Sequence, residues 1–235
     1  MSEEISAGEL RADLEAVRSV LSHDLRAPAR QLRALIDALL EDCATTLDDA
    51  ARQYVQRIGS VAQRLDDHLL AVLDYSKLAL RDLCSVSLDL SAVVDEVLTR
   101  LAKTMEGARL DRQDLEQRVT ADPHTLAQVL THLLANAVKF VHLGETPNIT
   151  ITATRNGSRV RLTVLDRGIG VPVEHRGRIF AMGERLHGED HYPGHGIGLA
   201  FVRRAMERMH GAVGVESGLG EGSAFWIELP AESAP

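Results

Sequence analysis

The feature that most constrains this chain is a change of hydrophobic period near Leu83. Before it, apolar residues recur at helical spacing. Leu10, Leu14, Val17 and Leu21 step by four, three and four, which is a coiled-coil seam. Leu25, Leu32, Ile36 and Leu39 continue that face in a slightly shifted phase, with Pro28 expected to kink the helix. The stretch Asp42-Cys43-Ala44-Thr45-Thr46 breaks the pattern. Thr46 or Asp48 can cap a second helix, whose Val55, Ile58, Val61, Leu65, Leu69 and Val72 share one face. Two long helices around a short turn form an antiparallel hairpin. One hairpin cannot cover both apolar faces, so two are expected to pair as a four-helix bundle, making the protein a homodimer.

Beyond Leu83, alternation takes over. Ser85–Leu90 reads as a strand and residues 91–105 as an amphipathic helix opened by Ser91. A helix is expected over 123–141. Asn148–Thr154 and Arg159–Leu165 read as two strands joined at Asn156-Gly157. A helix over 197–210 and a hairpin over 212–230, turning at Gly218-Leu219-Gly220, complete the pattern. Helices mixed with hairpin-linked strands predict a two-layer α/β sandwich, so the whole chain is α+β. The expected division is a helical domain at 1–83, a second domain at 84–230 and a disordered tail at 231–235.

Composition excludes some functions. The net charge is −8 and no basic cluster is long enough to track a phosphate backbone, so nucleic acid is not an expected partner. No apolar run approaches the ~20 residues of a membrane span, and Met1-Ser2-Glu3-Glu4 does not open a signal peptide. The segment is expected to be cytoplasmic without membrane contact, which is compatible with a membrane-anchored parent. Cys43 and Cys84 flank the second helix. At ~1.5 Å per residue they lie tens of ångströms apart, so both are expected as free thiols.

Five motifs carry chemistry. The first is Ser22-His23-Asp24-Leu25-Arg26-Ala27-Pro28. His23 is two residues from both Leu21 and Leu25, so at ~100° per residue it points away from the seam toward solvent. A nucleophilic imidazole needs that exposure, and Asp24 can accept its second ring N–H and fix the tautomer. The second motif is His132-Leu133-Leu134-Ala135-Asn136-Ala137-Val138-Lys139-Phe140. Leu126, Val129, Leu130, Leu133 and Ala137 form a core stripe, while Gln128, His132, Asn136 and Lys139 share another face. A carboxamide oxygen can ligate Mg²⁺ and an ammonium can pair with phosphate. A solvated polar face is the bland alternative.

The third motif, Asp166-Arg167-Gly168-Ile169-Gly170, follows a strand. It places a carboxylate where glycines let a flat ligand approach the backbone, although a plain turn would look similar. The fourth, Gly194-His195-Gly196-Ile197-Gly198-Leu199-Ala200, opens a helix with free N–H groups suited to phosphate. It lacks the Gly-Lys-Ser/Thr of a P-loop and the spacing of a Rossmann fingerprint. The fifth, Gly218-Leu219-Gly220-Glu221-Gly222-Ser223-Ala224-Phe225-Trp226-Ile227, is by itself a hairpin.

In this order and spacing the five motifs resemble the homology boxes of sensor histidine kinases of two-component systems, over about residues 15 to 230. Those proteins join a helical dimerisation and phosphoacceptor domain to an ATPase domain of the GHKL (Bergerat) type. Arg178-Ile179-Phe180 is similar to the family's phenylalanine box. The resemblance implies an ATP-dependent kinase that phosphorylates His23, with Asp24 orienting it, and relays the group to an aspartate on a response-regulator receiver domain. It implies Asn136 as the Mg²⁺ ligand, Lys139 as a phosphate contact, Asp166 as the reader of the adenine amine with Gly168 and Gly170 shaping the base pocket, and Phe140 and Phe180 as further nucleotide-binding residues. Gly194, His195, Gly196, Ile197, Gly198 and Leu199 would hold phosphate beside a lid at about 181–195.

Two residues depart from that family pattern. His132 stands where a second asparagine is frequent. Ala27 stands where Thr or Asn often positions water to dephosphorylate the partner, which predicts a kinase with weak phosphatase activity. An upstream sensor domain is expected to be absent from this chain, and the Ser-His-Asp-Leu-Arg-Ala-Pro form looks most like kinases behind phytochrome-type or PAS-type sensors. The alternative reading is a phosphotransfer or scaffold protein with an inactive ATPase domain.

Overall fold

A computed structural model describes residues 26–186, 192 and 194–232. The chain divides into two compact units, 1–81 and 82–235.

The first unit is a helical hairpin of α1 (Arg26–Asp42) and α2 (Asp49–Leu80). Asp48, rather than Thr46, caps α2, with its carboxylate accepting from Ala51 N at 2.7 Å. Thr46 Oγ1 instead donates to Cys43 O and closes the turn. The two helices pack where Gly59 leaves room, since a Cβ there would lie 3.2 Å from Ile36 Cγ2. Ile36 and Ala62 are buried, whereas Leu32, Leu35, Leu39, Ile58, Val61 and Leu65 stay exposed. The stripe expected on α2 is therefore only partly covered within one chain. Pro28 falls in the first turn of α1 as described, and the residues its kink would bend away, with the Leu10–Leu21 seam, lie outside the described residues. Cys43 and Cys84 are free thiols.

The second unit is a five-stranded sheet with helices packed on it. Its strands are β2 (Arg109–Gln113), β4 (Asn148–Asn156), β5 (Arg159–Asp166), β6 (Ala212–Gly218) and β7 (Gly222–Pro230), in the order β2-β4-β5-β7-β6. β2 and β4 are parallel and the other pairs antiparallel. A separate antiparallel pair joins β1 (Val86–Asp89) to β3 (Arg118–Ala121). α3 (Leu90–Arg100), α4 (Pro123–Lys139) and α5 (Gly198–Arg208) form the second layer. Ile149, Ile151, Val160, Leu162, Val164 and Ile227 meet Val94, Leu126, Leu130, Phe201 and Met206 in the core, as strand alternation and helical period require. With so few aromatics, aliphatic side chains fill this interior.

Several expectations are corrected. β2 and β3 were not expected. β2 is exposed at all five positions, so it carries no alternation, and β3 has only four residues. α3 is capped by Asp89, which accepts from Ala92 N, and not by Ser91. It ends at Arg100 rather than 105, because Leu101–Gly107 continue as turns closed by Gly107 at φ +80°. α4 and α5 each end two residues short of expectation. Ala231 and Glu232 are not a loose tail. Ala231 N donates to Ser158 O and Glu232 N to Arg118 O, extending the β7 edge. Among the described residues no helix is long and apolar enough to cross a membrane.

Candidate functional site

The site is built on α4. Asp122 is 4% exposed and caps the helix, accepting from Thr125 N at 2.8 Å. Its stripe of Leu126, Val129, Leu130, Leu133, Leu134 and Ala137 is buried. That burial fixes the helix rotation, so His132, Asn136 and Lys139 lie along one wall of a cavity of about 290 Å³. Gln128 does not line it. The opposite wall comes from the ends of β5 and β7 and from the glycine-rich segment before α5.

One end of the cavity is organised by Asp166, which is 4% exposed. Gly168 N and Ser223 N donate to its Oδ1 at 2.8 and 3.2 Å, which leaves Oδ2 outside that pair. Burial pushes its carboxyl up to about 6, against the pull of those two amides in the other direction. The glycines here are steric requirements. A Cβ on Gly168 would fall 2.0 Å from Phe140 O. Gly170 has φ +73°, and its Cβ would fall 1.8 Å from Gly218 O. Ile169 N donates to Phe140 O and Gly220 N to Ile169 O, so the third motif is clamped between the second and the fifth.

The lining also carries cations, Lys139 and Arg185. Burial, and then the Arg185 guanidinium, lower the Lys139 ammonium to about 8. Lys139 Nζ sits over the Phe140 ring, 4.2 Å from its centroid. Gly194 is packed against Lys139 Nζ, which a Cβ would approach to 2.8 Å, and Gly198 against His132 Nδ1, at 3.2 Å. The His132 ring in turn meets Phe201 of α5, with centroids 5.0 Å apart. The α5 N-terminus has no side-chain cap, so its amides and positive dipole end lie beside Gly196, Gly198 and Leu199 on the cavity wall. A pocket lined by a buried hydrogen-bond acceptor, by cations and by an uncapped helix N-terminus can hold a flat base and a polyphosphate.

Most of the expected residues are brought together. Asn136, Lys139, Phe140, Asp166 and Gly170 line the cavity, as do Gly194, His195, Gly196, Gly198 and Leu199. Gly168, Phe180 and Ile197 do not. Gly168 makes room for the Phe140 carbonyl, and Ile197 is buried behind the wall. Phe180 is buried edge-on against Phe225, centroids 6.5 Å apart, and it is Phe225 that reaches the cavity. Sequence reasoning missed Ile169, Ser223, Phe225, Arg185 and Tyr192. Ser223 and Phe225 sit in the fifth motif, which pairs with Asp166 only once β5 and β7 are side by side. Tyr192 packs on Phe140 and donates from its hydroxyl to Val141 O at 2.9 Å. His23 and Asp24 lie outside the described residues, as do 187–191 and 193 of the expected lid. Among the described residues no cluster of His, Cys, Asp and Glu could hold a metal.

Residues 121–233 match the family described as histidine kinase-, DNA gyrase B-, and HSP90-like ATPase. Cyanobacterial phytochrome A of Nostoc sp. is 33% identical over 227 residues, covering 93% of this chain and 29% of the phytochrome. The sensor histidine kinase AruS of Pseudomonas aeruginosa is 37% identical over 227 residues, covering 90% of this chain and 22% of AruS. The chain thus spans less than a third of either relative. The crystal structure of full-length ShkA in complex with AMPPNP aligns with a TM-score of 0.69 at 30% identity, over 93% of this chain and 46% of ShkA. By these similarities residues 121–233 are an ATPase domain of the histidine kinase-, DNA gyrase B-, and HSP90-like family, and the chain over about nine-tenths of its length is similar to sensor histidine kinases.

Proposed function

We propose that this protein is an ATP-dependent histidine kinase that phosphorylates its own His23 and passes the phosphoryl group to an aspartate on a response-regulator receiver domain. The observation that carries this reading is one cavity lined both by buried Asp166 and by Lys139, Arg185 and the first residues of the uncapped helix α5. Asp166 accepts from the adenine amine, Gly170 shapes the base pocket and Phe140 flanks it. Gly194, Gly196 and Gly198 let the phosphates approach backbone amides. Gly168 and Ile197 act from behind that surface. Phe180 supports Phe225 in the wall.

The donor set fits Mg²⁺. That ion keeps several waters and takes one or two protein oxygens beside substrate phosphates, so the Asn136 carboxamide suffices without a carboxylate cluster, of which the described residues hold none. Asn136 would hold it, and the ion would neutralise charge between the β- and γ-phosphates. A His23 ring nitrogen attacks the γ-phosphorus, the bond to the bridging oxygen breaks, and ADP leaves with that electron pair. Asp24 accepts the other ring N–H. The exposed leucines of the hairpin support a homodimer through residues 1–83, with 84–230 as the catalytic domain. The phytochrome relative supports a sensor upstream of this segment in the parent protein.

Incubation with γ-labelled ATP tests the proposal. Acid-labile, base-stable label is expected on the unmodified chain and absent from His23→Gln, with nucleotide affinity unchanged. Label persisting on His23→Gln would assign another acceptor. Nucleotide binding without any label would favour an inactive scaffold.

A further inference from the structure

Ser217 does not line the cavity, yet three hydrogen bonds meet on its hydroxyl. Val171 N donates to Ser217 Oγ at 2.8 Å. Ser217 Oγ lies 2.6 Å from Gly222 O and 3.0 Å from Ser223 Oγ. A serine hydroxyl has one hydrogen and two acceptor lone pairs. The Gly222 carbonyl has no hydrogen to give, so the 2.6 Å contact consumes the single hydrogen of Ser217. The Ser217–Ser223 contact is then filled by the Ser223 hydrogen. Ser223 Oγ keeps only lone pairs.

Asp166, Ser223 and Ser217 are register partners in one row across β5, β7 and β6. Ser223 is 5% exposed and lines the cavity beside Asp166, to which its amide is bonded. The wall there presents two neighbouring acceptors, the Asp166 carboxylate and Ser223 Oγ. We infer that Ser217 is a specificity-determining positioning residue: by holding the Ser223 hydroxyl as an acceptor, it makes this end of the cavity take a 6-amino purine and reject a 6-oxo purine. The inference rests on the proposed reading of Asp166 as the group facing the base. A 6-amino group brings N–H donors to those acceptors. A 6-oxo group brings an acceptor against two acceptors, which is the mismatch that a polar site rejects most strongly. Without Ser217, the Ser223 O–H is free to turn and donate to O6.

The test is calorimetric titration of the full chain with ADP and with IDP at pH 8, where Asp166 is ionised. The unmodified protein is expected to prefer ADP, and Ser217→Ala to lower the IDP-to-ADP ratio of Kd values by about tenfold, chiefly through tighter IDP binding, with ADP moving less than about threefold. Ser217→Thr, which keeps the hydroxyl, should retain the preference. Equal weakening of both nucleotides in Ser217→Ala would show a structural role only and overturn the inference. Should circular dichroism show Ser217→Ala unfolded, Ser223→Ala decides, because an unchanged ratio there also overturns it. Asp166→Asn separates the two levels. If its ratio collapses while that of Ser217→Ala stays, the Ser217 inference alone fails; if Asp166→Asn leaves the ratio unchanged, the base-end reading fails and this inference with it.

Discussion

The α-carbon of Gly168 stands so close to the Phe140 carbonyl that a β-carbon at 168 would fall 2.0 Å from that oxygen. Position 140 closes the helix bearing Asn136 and Lys139, and position 168 follows Asp166. This contact therefore sets how closely the C-terminal end of α4 approaches the Asp166 turn. Gly168→Ala is expected to destabilise the second unit by at least about 2 kcal/mol, because backbone lies on both sides of the clash. Urea unfolding followed by Trp226 fluorescence measures it, and an unchanged midpoint would contradict the contact.

Asp166 predicts a pH profile. Its folded pKa, about 6, lies above the ordinary aspartate value of 3.8, so the protonated form is favoured in the fold. That contribution to stability is fully present below 3.8 and is lost as pH rises through about 6. Nucleotide binding runs the opposite way, because the ionised carboxylate accepts from an amine more strongly than the protonated acid does. ADP affinity should fall by up to about tenfold per pH unit below about pH 6. Asp166→Asn should bind about tenfold or more weakly at pH 8 and lose that part of the pH dependence. Calorimetry across pH 5 to 8 checks both.

Lys139 predicts proton uptake. Its ammonium, near 8, is depressed by burial and by Arg185, and a bound polyphosphate opposes both effects. At pH 8, ADP binding should therefore draw in up to about half a proton. Titrations in two buffers of different ionisation enthalpy read that number directly. Lys139→Gln should remove it, and unchanged uptake in that variant would place the proton elsewhere.

The exposed Leu32, Leu35, Ile58 and Leu65 predict the oligomeric state. The full chain should sediment as a dimer. A fragment of residues 82–235 should be monomeric and still bind ADP, since the sheet and its three helices enclose their own core. A dimeric 82–235 fragment would move the interface out of the hairpin.

Ala27 is exposed and offers a methyl group where a hydroxyl or amide would be needed to hold water near His23. The unmodified protein should scarcely accelerate decay of a phosphorylated regulator in the absence of ADP, and Ala27→Thr should accelerate it. Rapid decay with the unmodified protein would show that another group positions the water.

How much was legible in the sequence follows from the range of the forces involved. The helical hairpin, α4, the β4–β5 pair and the closing hairpin are local periodic patterns; the apolar positions of α4 and of the strands went where the periods placed them, while the stripe of the helical hairpin stayed partly exposed. The stripe of α4 alone oriented Asn136 and Lys139 toward a common wall, because burying one helix face determines what the other presents. β2 could not be read, since its five exposed residues, four of them polar, carry no period and become a strand only by pairing with β4. Ser223 gained meaning only when β7 came to lie beside β5 and its amide met Asp166 Oδ1, a bond that spans 57 residues. Phe180 and Phe225 traded roles for the same reason. Which of two packed aromatic rings faces a cavity is decided by packing between elements, and no local pattern encodes it.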